Sequence, residues 1–429
     1  MDKKRVLIFP AGAENALEIF DALRFNVNIE LFGMSSKKDF AEYCYDSEHY
    51  IEGNYNITSP SIIEDLENVI KQYRIDVIIP THDDVALFMA EHNDEFSAKI
   101  LVSDYKTAYI CRYKRKMYEA FDDCSFCPKT YSDIKMINED EYPLFLKPNK
   151  AAGAVGTLMI SSPKELKEEY FGGDYVLCEY LPGEELTVDC YTDKNGRLLF
   201  SGARIRDRVV MGIAFRSTKV QITQEIESIS KTLNDRLAFK GAWYFQIKKD
   251  KYGCYKLLEI SCRQAGTMTL FRHIGVNFPL LGIFELFDTD VSFVANDCDI
   301  QVERRLKSVF KSNIDFSRVY IDFDDTIIIG GNVCLKVIEF LYDCHNRGKS
   351  IVLLTRHDEE IKIALNRYCI CEKVFDDIIQ ITFDDEKVEF INPNNSIFVD
   401  NSYAERKKVS DKYGIPVFDV DNLDLLLKE

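Results

Sequence analysis

Residues 319–321, Val-Tyr-Ile, form an apolar run short enough for one buried strand, and it ends against three aspartates, Asp322, Asp324 and Asp325. Neighbouring carboxylates repel, and a desolvated carboxylate without a partner is costly. The chain can therefore place this cluster only where a strand leaves its core and positive charge meets it. Two later runs, SIVLLT and SIFVD, also end in polar residues, Thr355 and Asp400, and helical patterns at 334–346, 358–368 and 403–413 separate the runs. Strand–helix alternation makes a parallel sheet, which lines up the carboxyl ends of its strands along one edge. Asp322, Thr355 and Asp400 are thus expected in one crevice. There aspartates from different strands can hold Mg²⁺ through oxygen. Thr355 can donate to a phosphate, and Lys387 of FDDEKVEF can neutralise it. This set suits phosphoryl transfer.

The rest of the chain sets limits. With 429 residues, 46% of them hydrophobic, it can build two to four domains with sizeable cores. A net charge of −17 argues against nonspecific binding to nucleic acid or anionic membrane. The apolar run near the N-terminus stops at Glu14, short of a signal-peptide core, and no run approaches the ~20 apolar residues of a membrane span. A soluble cytoplasmic protein is expected. The 13 cysteines are scattered; only Cys124 and Cys127 form CxxC, with no second pair at zinc spacing, so reduced thiols are expected.

Residues 1–104 alternate strands at 5–9, 28–32, 76–80 and 99–103 with helices that place Ala16, Ile19, Phe20 and Leu23 on one face and span 61–73 and 83–92. A parallel sheet follows. Thr81–Asp84 come after a strand end, where ligands collect in such sheets, and a helix N-cap is the alternative role for one of them. From 105 the texture changes to α+β with much antiparallel strand, closing near 301–303, and 304–317 read as a linker. Lys147 follows the strand PLFL and precedes the small-residue loop NKAAGAVG, which lets a backbone approach phosphates beside an ammonium. Gln246 and Glu259 fall on strands of a hairpin turning at Asp250–Gly253, so pairing can set both oxygens on one face as Mg²⁺ ligands. Arg206 and Arg208 alternate onto one side of their strand, facing either phosphates or solvent.

DFDDT, LLTRH, Lys387 and FVDNSYAER match, in order, the four motifs of the haloacid-dehalogenase-like (HAD) hydrolases. Over 318–429 the resemblance implies Asp322 as nucleophile, Asp324 as general acid and then base, Thr355 and Lys387 holding the phosphoryl group, and Asp400 on Mg²⁺. Asn401 stands where a second acid often follows, leaving Glu405 as the substitute. The 33 positions from Asp322 to Thr355 and 32 from Thr355 to Lys387 leave no room for a cap domain.

Residues 1–303 resemble the ATP-grasp carboxylate–amine ligases, in the style of the carbamoyl-phosphate synthetase large subunit, on the segments KPNKAAGAVG, YVLCEYLPGEELTVDC and GAWYFQIKKDKYGCYKLLEISCRQAG. The resemblance implies a Rossmann-like pre-ATP-grasp domain (1–104) and an ATP-grasp domain (105–303), with ATP and Mg²⁺ as cofactors. Lys114 and Lys147 would meet the ATP phosphates, and the loop Ala152–Gly156, with Gly153 and Gly156, would close over them. Glu179, Tyr180 and Leu181 would line the adenine site, and Glu185 would bind ribose. Arg206 would face the phosphates, Gln246, Glu259 and Ser261 the metal, and Arg263 the acyl-phosphate or the phosphates. Ser261 stands where the family pattern ExNxR has asparagine.

The expected whole is a multidomain α/β and α+β chain, an ATP-grasp ligase fused to a capless HAD-type phosphatase. Small-molecule carboxylates and amines are its expected partners, and ligases of this kind often form homodimers. By analogy, such fusions serve surface-glycan or small-metabolite biosynthesis. A ligase with an inert C-terminal domain and a non-catalytic nucleotide sensor are the alternatives.

Overall fold

The computed structural model describes residues 3–151, 155–210 and 212–427. Two compact units emerge, Met1–Leu306 and Lys307–Glu429.

The first unit begins with a parallel sheet of β1 (Lys4–Phe9), β2 (Ile29–Ser35), β3 (Tyr50–Glu52), β4 (Val77–Pro80) and β5 (Lys99–Ile100), in the order β3-β2-β1-β4-β5. Alternate residues of β1 serve its two faces. Val6 and Ile8 meet Ala16, Ile19, Phe20 and Leu23 of α1 (Glu14–Leu23), while Leu7 and Phe9 join Leu66 and Val69 of α2 (Ile62–Tyr73). Strand β5 stops at Ile100, sooner than the run to Ser103 suggests. Ser103 and Thr107 instead turn their hydroxyls to the backbone amides of Lys240 and Ala238. Helices α3 (Asp83–Glu91), α4 (Tyr105–Arg112) and α5 (Lys114–Ala120) lead on to an antiparallel four-stranded sheet. It contains β6 (Thr130–Tyr131), β7 (Leu144–Pro148), β8 (Leu158–Ile160) and β9 (Tyr175–Glu179).

The third sheet is antiparallel and six-stranded. Its strands are β10 (Glu185–Thr192), β11 (Leu198–Val210), β12 (Ile213–Val220), β13 (Gly241–Lys249), β14 (Tyr255–Ser261) and β15 (Gln301–Glu303), ordered β14-β13-β10-β11-β12-β15. Helices α6 (Gln224–Arg236), α7 (Thr269–Arg272) and α8 (Phe278–Leu286) complete the unit. One apolar cluster runs from Leu7 and Ile78 to Leu186, Val188, Phe245 and Ile260, so residues 1–104 and 105–303 share a core. The strand expected near 301 closes the third sheet on β12, and residues 304–317 carry no regular element.

The second unit is built on a parallel sheet. Its strands are β16 (Arg318–Ile321), β19 (Ser350–Arg356), β20 (Asp377–Ile381), β21 (Ser396–Val399) and β22 (Val417–Phe418), ordered β20-β19-β16-β21-β22. A small hairpin of β17 (Ile328–Ile329) and β18 (Asn332–Val333) precedes α9 (Leu335–Asn346). Val319, Ile321, Ile351 and Leu353 pack with Val337, Phe340 and Leu341 of α9, whereas Tyr320, Val352, Leu354 and Phe398 pack with Val409 of α11 (Tyr403–Tyr413). The sheet is thus covered on both faces, as period-2 apolar strands require. Between Thr355 and Lys387 lie only α10 (Ile361–Arg367), a short turn of helix and β20, so no separate domain interrupts either spacing.

Candidate active site

Antiparallel pairing places side chains in rows across the third sheet. Arg204, Thr187, Gln246 and Glu259 are direct partners across β11, β10, β13 and β14. A neighbouring row holds Gly202, Asp189, Tyr244 and Ser261. Period-2 alternation puts these polar residues on one face and Leu186, Val188, Phe245 and Ile260 on the other, in the core. Above the polar face opens a cavity of about 650 Å³. Lys114, Lys147, Glu185, Arg206, Gln246, Glu259, Ser261 and Arg263 all line it.

The two lysines come from outside this sheet, from α5 and β7. Lys147 is the fourth residue of β7, buried, and donates to the Tyr118 hydroxyl and, at 3.4 Å, to the Leu258 carbonyl. Lys114 opens α5, and its Nζ donates to the Ala151 carbonyl at 3.0 Å. Burial pushes the Lys114 ammonium below its usual range, and the nearby Glu259 carboxylate opposes that shift. Two buried cations that hold mostly neutral acceptors are suited to an anion between them. Gly156 has φ +75, and a Cβ there would come within 2.9 Å of Pro148, so glycine alone fits the end of this loop. Gly153 lies outside the described residues.

Several assignments change. Glu179, Tyr180 and Leu181 do not line the cavity; Glu179 is spent on the backbone amide of Lys129, 2.8 Å away. Glu185 does line it but is ion-paired with Arg206, whose guanidinium also reaches Gln246 Oε1 at 3.5 Å and donates to the Gly212 carbonyl at 2.6 Å. Arg208 is not beside Arg206. Register shifts on either side of Arg208 break the alternation, and it pairs with Glu303. Ser261 lines the cavity, and its hydroxyl donates to Asp83 Oδ1 at 2.6 Å, which engages its proton and leaves its oxygen lone pairs for a metal.

Asp83 was not singled out by sequence. Its other oxygen takes Arg263 Nη2 at 2.9 Å. Burial raises the Asp83 carboxyl, but the charge and hydrogen bond of Arg263, the Ser261 hydroxyl and Arg112 outweigh it and hold it at about 2. The carboxylate fixes Arg263 in the cavity wall. His82 takes the cap role foreseen for this stretch: its Nδ1 accepts from the Asp84 amide at 3.2 Å. Asp84 in turn pairs with Arg112 at 2.8 Å and Lys150 at 2.9 Å. Only the position of Thr81–Asp84 after β4 hinted at these roles. Arg204 was also missed. Fully buried, it binds Asp189 through Nε at 2.6 Å and Nη2 at 3.1 Å.

In the second unit Lys387 bridges Asp322 at 2.6 Å and Asp400 at 2.7 Å, all three buried. The β16 and β21 strands pair in register, which brings the two aspartates together at the sheet edge. Burial raises both carboxyls above the usual carboxylate range, against the pull of Lys387. The Ser402 amide donates to Asp400 at 2.7 Å. Thr355 is fully buried, and its hydroxyl has no hydrogen-bond partner among the described residues. A buried hydroxyl left so is costly, and an anion that accepts from it would remove that cost. Asp324 is not buried with these residues. It is half-exposed, and its carboxylate lies 2.7 Å from His357 Nδ1, a residue the motif LLTRH contained but the sequence reading passed over. Asp325 adopts φ 56, which suits a turn residue. Glu405 pairs with Arg356 at 3.2 Å.

Among the described residues no group of three or more His, Cys, Asp or Glu side chains is arranged to hold a metal alone. Mg²⁺ needs less, since one or two carboxylates, phosphate oxygens and water satisfy it. Gln246 with Glu259, and Asp322 with Asp400, fit that partial donor set. No helix among the described residues is long and apolar enough to cross a membrane.

Residues 173–307 match the family model described as ATP-grasp in the biosynthetic pathway with Ter operon. No curated protein matches the chain by sequence. The fold resembles the pyruvate carboxylase of Rhizobium etli, solved with acetyl coenzyme A (13% identity, TM-score 0.56, 68% of this chain and 29% of that one). It also resembles the biotin carboxylase domain of Hydrogenobacter thermophilus 2-oxoglutarate carboxylase, solved with MgADP, ADP and bicarbonate (14% identity, TM-score 0.55, 69% of this chain and 72% of that one). A third is the L-amino acid ligase of Bacillus licheniformis (16% identity, TM-score 0.51, 66% and 74%). The chain thus spans less than a third of the length of the first of these, the 29% just given. These likenesses show an ATP-grasp-like fold over the part of the chain that they cover.

Proposed function

We propose that this protein is an ATP- and Mg²⁺-dependent carboxylate–amine ligase that forms ADP, fused to a HAD-type phosphatase acting on a related phosphorylated substrate or product. The observation that carries the ligase reading is the convergence of Lys114, Lys147, Gln246, Glu259 and Arg263 on one cavity from separate strands and helices. The similar structures, one solved with MgADP and another an L-amino acid ligase, support it.

In the first step a carboxylate oxygen attacks the γ-phosphorus of ATP. The bond to the β–γ bridging oxygen breaks, and ADP leaves with its electron pair. Lys147 and Lys114 offset the charge on the phosphates, and Arg263, held by Asp83, faces the acyl-phosphate. An amine nitrogen then attacks the carbonyl carbon, the carbon–oxygen bond to phosphate breaks, and the nitrogen loses a proton. Bound Mg²⁺, held by Glu259 and Gln246, would neutralise phosphate charge. Most of the acceleration comes from holding the reactants together and from fixed charge.

In the phosphatase, an Asp322 oxygen attacks phosphorus as the bond to the substrate oxygen breaks. Asp324, positioned by His357, protonates that oxygen and then takes a proton from the water that releases phosphate. Thr355 and Lys387 hold the phosphoryl oxygens. The orphaned Thr355 hydroxyl supports this reading. The coupled scheme, in which the ligase product or substrate carries the phosphate that the second unit removes, fits surface-glycan or small-metabolite biosynthesis.

Glu259→Gln tests the metal assignment. It removes one negative charge at constant volume, so the Mg²⁺ concentration giving half-maximal ADP formation should rise about tenfold or more, the scale of losing one good charged contact. An unchanged Mg²⁺ titration would place the metal elsewhere.

A further inference from the structure

Thr187 sits between the arginine end and the metal-ligand end of one cross-strand row, with Arg204 on one side and Gln246 on the other. It is 1% exposed, lines the cavity, and its hydroxyl has no hydrogen-bond partner among the described residues. Above it, Arg206 reaches across β10 to Gln246, a contact of 3.5 Å that is long for a hydrogen bond. A bound anion could part that contact at little cost, and the same movement would free Gln246.

We infer that Thr187, with Arg204 and Arg206, forms the subsite for the substrate carboxylate, distinct from the lysine pair proposed to meet the ATP phosphates. This rests on the ligase reading and adds the position of its first substrate. Charge argues for a carboxylate over a polyphosphate. Arg204 is already paired with Asp189 and Arg206 with Glu185, so this side carries little excess positive charge. Among the described residues Lys114 and Lys147 form no such ion pair, and they stand at the β14 end of the row, Lys147 on the Leu258 carbonyl and Lys114 near Glu259. A monoanion that accepts one hydroxyl and shares two guanidinium groups suits the first place, and a polyphosphate the second. The placement also sets the carboxylate oxygen beside Gln246 and Glu259, where the γ-phosphate and metal are expected.

Thr187→Val in the full chain tests this, because it removes the hydroxyl at nearly constant volume. A hydroxyl that waits for substrate is unsatisfied without it, so the valine variant should melt at the same or a higher temperature than wild type. Binding of Mg²⁺–ATPγS, read by calorimetry, should stay within twofold. Carboxylate activation, read as hydroxamate formed with hydroxylamine from an equimolar mixture of amino acids and aliphatic monocarboxylates, should fall roughly 10- to 100-fold, the loss of one hydrogen bond to a charged group. Thr187→Ser should restore most of it. Hydroxamate formation within twofold of wild type would overturn the inference. So would a parallel loss of ATPγS affinity, which would give Thr187 to the nucleotide. A lower melting temperature would also overturn it, by showing that the hydroxyl serves the fold. Wild-type protein that binds no ATPγS would instead overturn the ligase reading itself.

Discussion

Replacing Lys147 with alanine should lower ATP turnover by roughly 10²–10³, the usual loss when one preorganised charge contact to a transition state is removed. The side chain is 5% exposed and anchored by Tyr118 and the Leu258 carbonyl, so its ammonium is held in place before ATP arrives. Phosphate release from an aryl phosphate should be unchanged, because that site has its own lysine, Lys387, more than two hundred residues on in the other compact unit. Lys147→Met, which keeps most of the volume, separates charge from packing and should be as inactive as the alanine variant. An ADP-forming rate within threefold of wild type in either variant would remove Lys147 from the site.

The residues behind that prediction were legible because they sit on regular strands. Lys147 follows an apolar run, and the hairpin signal Asp250–Gly253 put Gln246 and Glu259 on adjacent strands, where a register shift between Gln246 and Ile247 makes them direct partners. Likewise β16 and β21 each run straight into an aspartate and β19 ends in Thr355–Arg356, and in-register parallel pairing brought Asp322 and Asp400 onto Lys387. What stayed hidden depends on distant pairing or on a local slip. Nothing near Ser261 in sequence says that Asp83, 178 residues earlier, will take its hydroxyl. Period-2 reasoning placed Arg208 beside Arg206, and a bulge undid it. Strand β20, with its mixed burial, carries too weak a pattern to separate from the loop around it. His357 stood in a quoted motif, but its contact with Asp324 depends on how two loops meet at the sheet edge.

Asp322→Asn should eliminate phosphate release by the second unit and spare ADP formation by the first. The amide cannot serve as nucleophile toward phosphorus, whereas a carboxylate can. The substitution leaves Lys387 paired with Asp400 at 2.7 Å, so the local fold keeps its buried charge compensated. Under the coupled scheme the variant should accumulate a product heavier by one phosphoryl group, read by mass spectrometry. Equal products at equal rates in variant and wild type would make the second unit inert in the pathway chemistry.

The claim that joins these results is that residues 1–306 activate a carboxylate as its phosphate. Hydroxylamine intercepts acyl-phosphates directly, so the decisive measurement gives the full chain ATP, Mg²⁺, hydroxylamine and pooled small carboxylates, with nucleotide and hydroxamate quantified together. The account predicts ADP and hydroxamate in equal amounts, both requiring Mg²⁺ and both lost in Lys147→Ala. AMP and pyrophosphate in place of ADP, or ADP formed without hydroxamate at a rate indifferent to the carboxylates, would contradict it.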